Sequence, residues 1–445
     1  MTSVAISGIA IIVGIVVFII LAYKGLSPIL AALAAALIVG CTCEGGPLAA
    51  IFDTLMKQAT TFLSSVLLLI IVGGFLSAVL EMTGVTDSLA NGVIKLLGEK
   101  SIPIVIFVMT GLLCFLGVGS YQFIVAPLAL GLLKKSNLPR NIGLIAMMVA
   151  YNAVTYCLPG TAVTPNLMPT TILGTTIYAG AGFGILAFGM AAILGLAYVY
   201  YLVASAKKNQ LVFELQSAQA GMGGFGGAQG QQQEKNVPPF WNAIVTMLLL
   251  FGLCFILSNV KSLDATQAVV LAQLIAAVWA LISNFKRTIP GNRLRAISQG
   301  TIAVIPVAVM LGIISGFGAV VQSTTAFQAL LGTILNMNMN PYLLTFLGVA
   351  ILSGCMANGT GAIVMVLNVL APTLTASGAD LGVVHRIATV TASTLDSLPH
   401  CTNVCVSLQV FGVTHKQEYK KVFISTVIIP LIYAALTTIV CMIFA

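Results

Sequence analysis

Asp396 is the residue whose chemistry most needs explaining. It opens the run Asp396-Ser-Leu-Pro-His-Cys-Thr-Asn403 inside a long apolar stretch. An ionised side chain at the centre of a bilayer costs about 2.5–3.5 kcal/mol on insertion scales. A carboxyl kept there can carry a proton or ligate a coupling cation; the plainer alternative is a cap on the half-helix that follows. His400 stands four residues on and is the second candidate for proton coupling, although Pro399 between them interrupts helical spacing. A second polar interruption, Cys157-Leu-Pro-Gly-Thr-Ala-Val-Thr-Pro165, shares the Leu-Pro core. Two glycine-containing segments, Gly117-Val-Gly-Ser120 and Ala357-Asn-Gly-Thr-Gly361, interrupt other apolar runs.

Non-helical backbone at membrane depth persists only where it is buried in protein or lines a cavity. Glycine permits the tight turns there, and proline removes backbone donors. The short polar side chains beside these freed groups are the candidate ligand contacts. They are Gly119, Ser120 and Tyr121 at the first tip, and Thr155, Gly160 and Thr161 at the first break. Asn358, Gly359 and Thr360 occupy the second tip, and Ser397, His400, Thr402 and Asn403 the second break. Half-helix N-termini present partial positive charge and free N–H groups, which suits an anion. The cation nearest these segments is Arg386, expected at the outer end of its span, so dipoles, hydroxyls and amides would do most of the holding.

These segments need a framework to hold them. The 445 residues are 59% hydrophobic and only 7% charged, against about 25% charged in ordinary soluble domains. A water-facing surface cannot be built from such a chain. Apolar stretches near bilayer length recur from end to end, without the alternation of a membrane barrel. The N-terminus lacks the basic region and cleavage site of a signal peptide, so the first stretch reads as a retained span. Nine cysteines lie mostly in apolar sequence. Neither Cys41-x-Cys43 nor the Cys401/Cys405 pair has the further ligands of a zinc site, and no metal is expected.

Residues 216–236 are rich in Gly and Gln and read as a flexible linker. Around it the sequence repeats at a spacing near 240. Gly74-Phe75 matches Gly316-Phe317, Pro103 matches Pro341, Gly119-Ser120 matches Gly359-Thr360, and Leu158-Pro159 matches Leu398-Pro399. Each half then holds three spans, a hairpin (103–133 or 342–375), a broken span (141–172 or 386–413) and a last span. A short amphipathic helix near 86–98 precedes the first hairpin. With re-entrant hairpins each half crosses five times, and an odd number inverts the second half. The expected fold is an all-α polytopic membrane protein of two inverted repeats, 1–205 and 239–445, joined by a cytoplasmic segment, 206–238. This layout puts all but Lys57, Lys261 and Arg386 of the 19 Lys and Arg on one side. That segregation accounts for the net charge of +8 without nucleic acid. By the positive-inside rule that side is cytoplasmic, with both termini external in a bacterial inner membrane.

Paired broken helices in matching positions of two halves are the best sequence pointer to a secondary transporter's site. At these residues the chain resembles the gluconate:proton symporter (gluconate permease) family of the ion transporter superfamily. The likeness runs through Gly119 to Leu130, Thr155 to Leu167, Ala357 to Leu374 and Thr394 to Phe423. The sugar-acid members carry a His- and Pro-rich loop where this chain has Leu158 to Pro165. The resemblance implies symport of a small organic anion, a hydroxy-monocarboxylate such as gluconate or 3-hydroxybutyrate, with protons. It also implies a homodimer in which a transport domain slides as an elevator against a scaffold. Sodium coupling is the alternative, since carbonyls with Ser, Thr and Asn can ligate Na⁺. A channel would show a charged ring or continuous polar stripe. An intramembrane enzyme is the rival from another class. Gly117-Val-Gly-Ser120 faintly resembles a serine nucleophile, and a Cys with His400 could make another. No metal set such as H-E-x-x-H is present, and the repeat predicts two equivalent sites rather than one triad.

Overall fold

The computed structural model describes residues 3–115, 121–161, 163–213, 237–258, 265–288, 293–335, 337 and 339–445. Among the described residues all regular structure is helical, as lipid demands of a chain that must satisfy its own backbone groups. The first half runs α1 (Val4–Tyr23), α2 (Pro28–Gly40), the short α3 (Gly46–Ala49), a π-helical turn (Ala50–Leu55) and α4 (Met56–Met82). It continues with α5 (Val85–Leu97), α6 (Ile102–Phe115), α7 (Tyr121–Lys135), α8 (Arg140–Asn152), α9 (Thr164–Leu173) and α10 (Ala181–Lys208). The second half comprises α11 (Phe240–Ser258), α12 (Ala265–Ser283), α13 (Arg293–Ala303), α14 (Ile305–Gln322) and α15 (Thr325–Leu335). Then come α16 (Pro341–Met356), α17 (Gly359–Ala376), α18 (Leu381–Ala392), α19 (Thr402–Val410), α20 (His415–Phe423) and α21 (Ile429–Phe444).

Short polar residues start several of these helices by accepting bonds from otherwise orphaned N–H groups. Ser3 caps α1, Ser27 caps α2, Asn340 caps α16 and Asp380 caps α18. Among the described residues, five helical stretches are long and apolar enough to cross a bilayer, or seven if two bent pairs each count once. Five shorter apolar helices, among them Pro28–Gly40 and Leu381–Ala392, accompany them. The third stretch is long: helix begins at Gly46 and runs through the π-helical turn to Met82. The second half also holds α15, a counterpart of the amphipathic α5 that its short, largely apolar sequence concealed.

Two groups of helices emerge from the packing. In one, α2 lies on α1 and α14, α12 lies on α11 and α4, and α4 packs along α14. In the other, α6 and α8 pack together, as do α16 and α18, and α10 lies on α21. The matched glycines of the repeat serve close approaches in the first group, Gly74 of α4 against α13 and Gly316 of α14 against the π-helical turn Ala50–Leu55. A Cβ on Gly74 would fall 2.7 Å from the carbonyl oxygen of Gly300, and one on Gly316 only 2.5 Å from that of Leu55.

Candidate functional site

Helix α8 does not stop cleanly. Its last turn widens into a π-helical segment, Ala153–Cys157, before the chain becomes extended at Leu158. Such bulges redirect side chains and recur at functional sites. The second break runs from Ser393 to Cys401 between α18 and α19. The two breaks meet. Tyr156 donates a hydrogen bond of 2.7 Å to Oδ2 of Asp396, and the Ser397 hydroxyl donates one of 2.8 Å to Oδ1. Asp396 is only 5% exposed, so both carboxyl oxygens are buried on neutral hydroxyl donors.

A polar cluster extends from this pair. The Tyr151 hydroxyl lies 3.4 Å from that of Tyr156, and with the Tyr156 proton directed at Asp396, Tyr151 is the donor. Its ring stacks on Tyr121 at 5.0 Å. Tyr121, the first residue of α7, donates 3.0 Å to Oδ1 of Asn403. Gln122 Nε2 donates to the same oxygen. Tyr419 donates 3.1 Å to the Ser397 carbonyl. Of the residues singled out in the sequence, Tyr121, Asp396, Ser397 and Asn403 therefore come together, joined by Gln122, Tyr151, Tyr156 and Tyr419.

Other expected residues lie apart from that cluster. The carboxyl of Asp396 is bonded to Tyr156 and Ser397 rather than to His400. His400 is buried with its ring edge-on to Phe18 of α1 and Phe317 of α14, at 6.3 and 6.1 Å. The backbone of Gly354 and Cys355 is beside it, but neither ring nitrogen makes a hydrogen bond of normal geometry. Thr402 is half-buried at the first position of α19. At the second hairpin tip Asn358 is exposed and caps its own helix, accepting 3.0 Å from Gly361 N. Gly359 rests on the end of α18, where a Cβ would meet the Ala392 carbonyl at 2.6 Å; Thr360 is half-buried beside it. Gly119 and Ser120 lie outside the described residues. Thr155 is buried within the π-segment beside Cys114.

Arg386 is not at the outer end of its span. It is fully buried, and its guanidinium is spread over backbone carbonyls of the first half. Nε and Nη2 donate to Ala179 at 3.1 and 2.8 Å, and longer bonds of 3.4 Å reach Ile177 and Cys157. The misplacement arose because basic residues were treated as loop markers, whereas a loop folds back here to receive one. Its neighbour His385 is bonded through both ring nitrogens, to Thr175 Oγ1 at 2.8 Å and Asn166 Oδ1 at 3.0 Å. The Asn166 amide donates to the Thr161 and Ile177 carbonyls, so its oxygen faces His385, whose Nε2 carries the hydrogen. Gly160, at φ +84°, donates to Ile177 from the same loop. Gly160 and Thr161 thus serve this lattice between the halves.

Two surface clefts lie elsewhere. One of about 790 Å³ separates α9 from α17 at Thr171, Asn368 and Thr375; a smaller one of about 370 Å³ lies at Gly180, Phe183 and Asp380. Among the described residues no three His, Cys, Asp or Glu side chains converge as a metal site.

The family profile described as "CitMHS: Citrate transporter" matches residues 15–303. The "Uncharacterized transporter YxjC" of Bacillus subtilis (strain 168) is 24% identical over 453 residues, covering 92% of this chain and 93% of its own. Among solved structures, MtrF of Neisseria gonorrhoeae, described with a class of antimetabolite efflux pumps, aligns over 99% of this chain and 93% of its own. Its identity is 14% and the TM-score 0.39. The YdaH transporter of Alcanivorax borkumensis aligns over 97% and 99%, at 14% identity and a TM-score of 0.38. Both are distant likenesses. The expectation of a multi-pass transporter is met, and the profile that matches is that of the citrate transporters. This chain belongs to that citrate transporter family.

Proposed function

We propose that this transporter is a symporter that carries a small organic anion together with a proton, by elevator-type alternating access. The observation carrying the reading is Asp396: one carboxyl, buried where both breaks meet, bonded to two hydroxyls. Hydroxyl donors can serve a carboxylate, and each can turn to accept once the carboxyl is protonated. Hydroxy-monocarboxylates such as gluconate or 3-hydroxybutyrate come first as substrates, with citrate beside them because the matched family is named for it.

The inverted repeat, 1–205 against 239–445 about the 206–238 linker, is supported by the order of parts. It is also supported by the reciprocal packing of α2 on α14 and α12 on α4. The group holding both hairpins and both breaks would be the moving body, and the α4–α14 group the scaffold, paired with a second copy in a homodimer. We place the protein in the bacterial inner membrane with both termini outside. Uptake into liposomes of purified protein tests the reading. A pH gradient, acid outside, should drive at least tenfold accumulation of one or more of gluconate, 3-hydroxybutyrate and citrate. Accumulation that depends on a sodium gradient and ignores pH would replace the proton by sodium. Uptake of none of the three would remove the anion reading.

A further inference from the structure

Arg386 is unusual in having no acid to balance it. Among the described residues no carboxylate lies within ion-pair distance, and its partners are all backbone carbonyls. It also belongs to the same packed group as Asp396, since α18 lies against α9, α10, α16, α17 and α21. These two are the charged side chains within the described interior segments of that group. The others stand at helix ends: Lys134 and Lys135 close α7, Arg140 opens α8, Lys207 and Lys208 close α10, and Asp380 caps α18. Glu418 of α20 is paired with Lys421, and Lys416 and Lys420 of that helix are exposed.

We propose that Arg386 is a fixed countercharge that makes proton and anion obligatory travelling companions. This rests on the proton-coupled reading above and adds the reason for its coupling. The residues facing Asp396 are the neutral hydroxyls of Tyr156 and Ser397, with Tyr151 behind. Those facing Arg386 are the Ala179, Ile177 and Cys157 carbonyls, the Cys157 thiol and the neighbouring His385. His385 donates from Nε2 and accepts at Nδ1, and His415 donates from Nε2 to the Pro399 carbonyl at 3.0 Å. His400 has no hydrogen-bonded partner. All three count as neutral.

The charge count then decides which forms can cross. With Asp396 ionised and the site empty, Arg386 and Asp396 sum to zero. A proton alone makes +1, and a monoanion alone makes −1. A proton on the Asp396 carboxylate together with a monoanion returns the sum to zero. An uncompensated charge in the bilayer is costly, so only the empty and the doubly loaded forms exchange sides. The proton taken up by Asp396 on one side leaves to water on the other, and no other species is consumed.

The count fails in a defined way when the cation is removed. In Arg386→Gln the doubly loaded form carries −1 and the empty protonated form carries zero. Symport becomes slow anion uniport driven by voltage, with no net proton movement. The test uses full-length protein in liposomes with whichever of gluconate, 3-hydroxybutyrate or citrate the wild type accumulates. If that substrate is citrate, the assay is run at a pH where its monoanion is present, and that form is the one counted. Wild-type uptake should follow the pH gradient and ignore a potassium–valinomycin potential. Arg386→Gln should lose at least tenfold of the pH-driven accumulation while still binding substrate in thermal-shift assays. Its residual uptake should rise about tenfold for an inside-positive potential of about 60 mV. Arg386→Lys keeps the charge but not the fork of donors, and should remain voltage-indifferent. A purely structural role predicts that Lys and Gln fail alike, and that outcome overturns the proposal. So does pH-driven, voltage-indifferent accumulation by Arg386→Gln. Should Arg386→Gln not fold, voltage dependence of wild-type turnover overturns it by itself, because the empty carrier must then bear charge. Absence of any wild-type uptake under a pH gradient instead removes the symport reading beneath it.

Discussion

Tyr156 donates its hydroxyl to Asp396 at 2.7 Å, and the two residues are 240 positions apart. That interval also separates Leu158-Pro159 from Leu398-Pro399 and Gly119-Ser120 from Gly359-Thr360. Tyr156 and Asp396 therefore stand at matching positions of the sequence repeat and share a single carboxyl, supplied by the second half.

Tyr156→Phe removes that donor and keeps the ring. A hydrogen bond to a charged group contributes about 1.5–3 kcal/mol, so pH-driven accumulation should fall by roughly ten- to a hundredfold. Asp396→Asn should abolish accumulation while leaving anion exchange intact, since the loaded site then balances Arg386 without a proton. Uptake and counterflow measured side by side check both. Normal accumulation by either variant would remove Asp396 from the coupling step.

Much of this site was legible in the sequence, and the unread parts share a cause. A carboxyl in an apolar run declares itself through its desolvation cost, so Asp396 was evident. Tyr156 was not, because a tyrosine in a membrane helix carries no such cost. The signal that could have found it was the repeat, since the Leu-Pro offset applied to Asp396 lands on Tyr156. Arg386 and the His385–Asn166 bond depend on a loop returning from 174–180 to a helix two hundred residues on. No local pattern encodes that approach. The surroundings of His400 were illegible for the converse reason: nearness in sequence to Asp396 hid the aromatic pair, Phe18 and Phe317, brought from elsewhere.

The native cysteines report on accessibility. Cys355 is partly exposed beside the second hairpin tip, whereas Cys157, Cys401 and Cys441 are buried. Apart from the exposed Cys41 and the partly exposed Cys43, small polar thiol reagents should modify Cys355 first and inactivate transport, and saturating substrate should slow labelling of Cys355 severalfold. Cys157 and Cys401 should react only as the protein turns over, and Cys441 should be indifferent to substrate. Mass spectrometry with and without ligand resolves each position. Equal rates at 157, 355 and 401 in both conditions would detach the breaks from the binding site.

Gly316→Ala places a methyl against the Leu55 carbonyl, and overpacking of this kind costs about 1–3 kcal/mol. The detergent-solubilised variant should melt several degrees lower. Gly252→Ala, whose new methyl would meet nothing within 4 Å, should be close to neutral. Equal melting temperatures for the two would show that the packing of α14 on the Ala50–Leu55 turn is looser than its geometry implies.

Orientation is checked with single reporters. A fusion within 216–236 should read cytoplasmic, and tags at either terminus should read external, from the segregation of Lys and Arg. A cytoplasmic N-terminus would overturn the inverted arrangement.

The bonds from His385 and Arg386 to the 174–180 loop carry a mechanical consequence. They fasten the connection behind the first break to a helix of the second half, while Tyr156 and Asp396 fasten the breaks at their centre. Two interruptions that leave backbone unpaired would ordinarily be the softest points of a membrane domain. Here each is braced by the other, and neither can yield alone. Flexibility in such a body is displaced outward, to its seam with the α4–α14 group and to its hairpins. Amide exchange should accordingly be slower at 156–161 and 396–401 than at Asn358–Gly361, although all three stretches depart from regular helix.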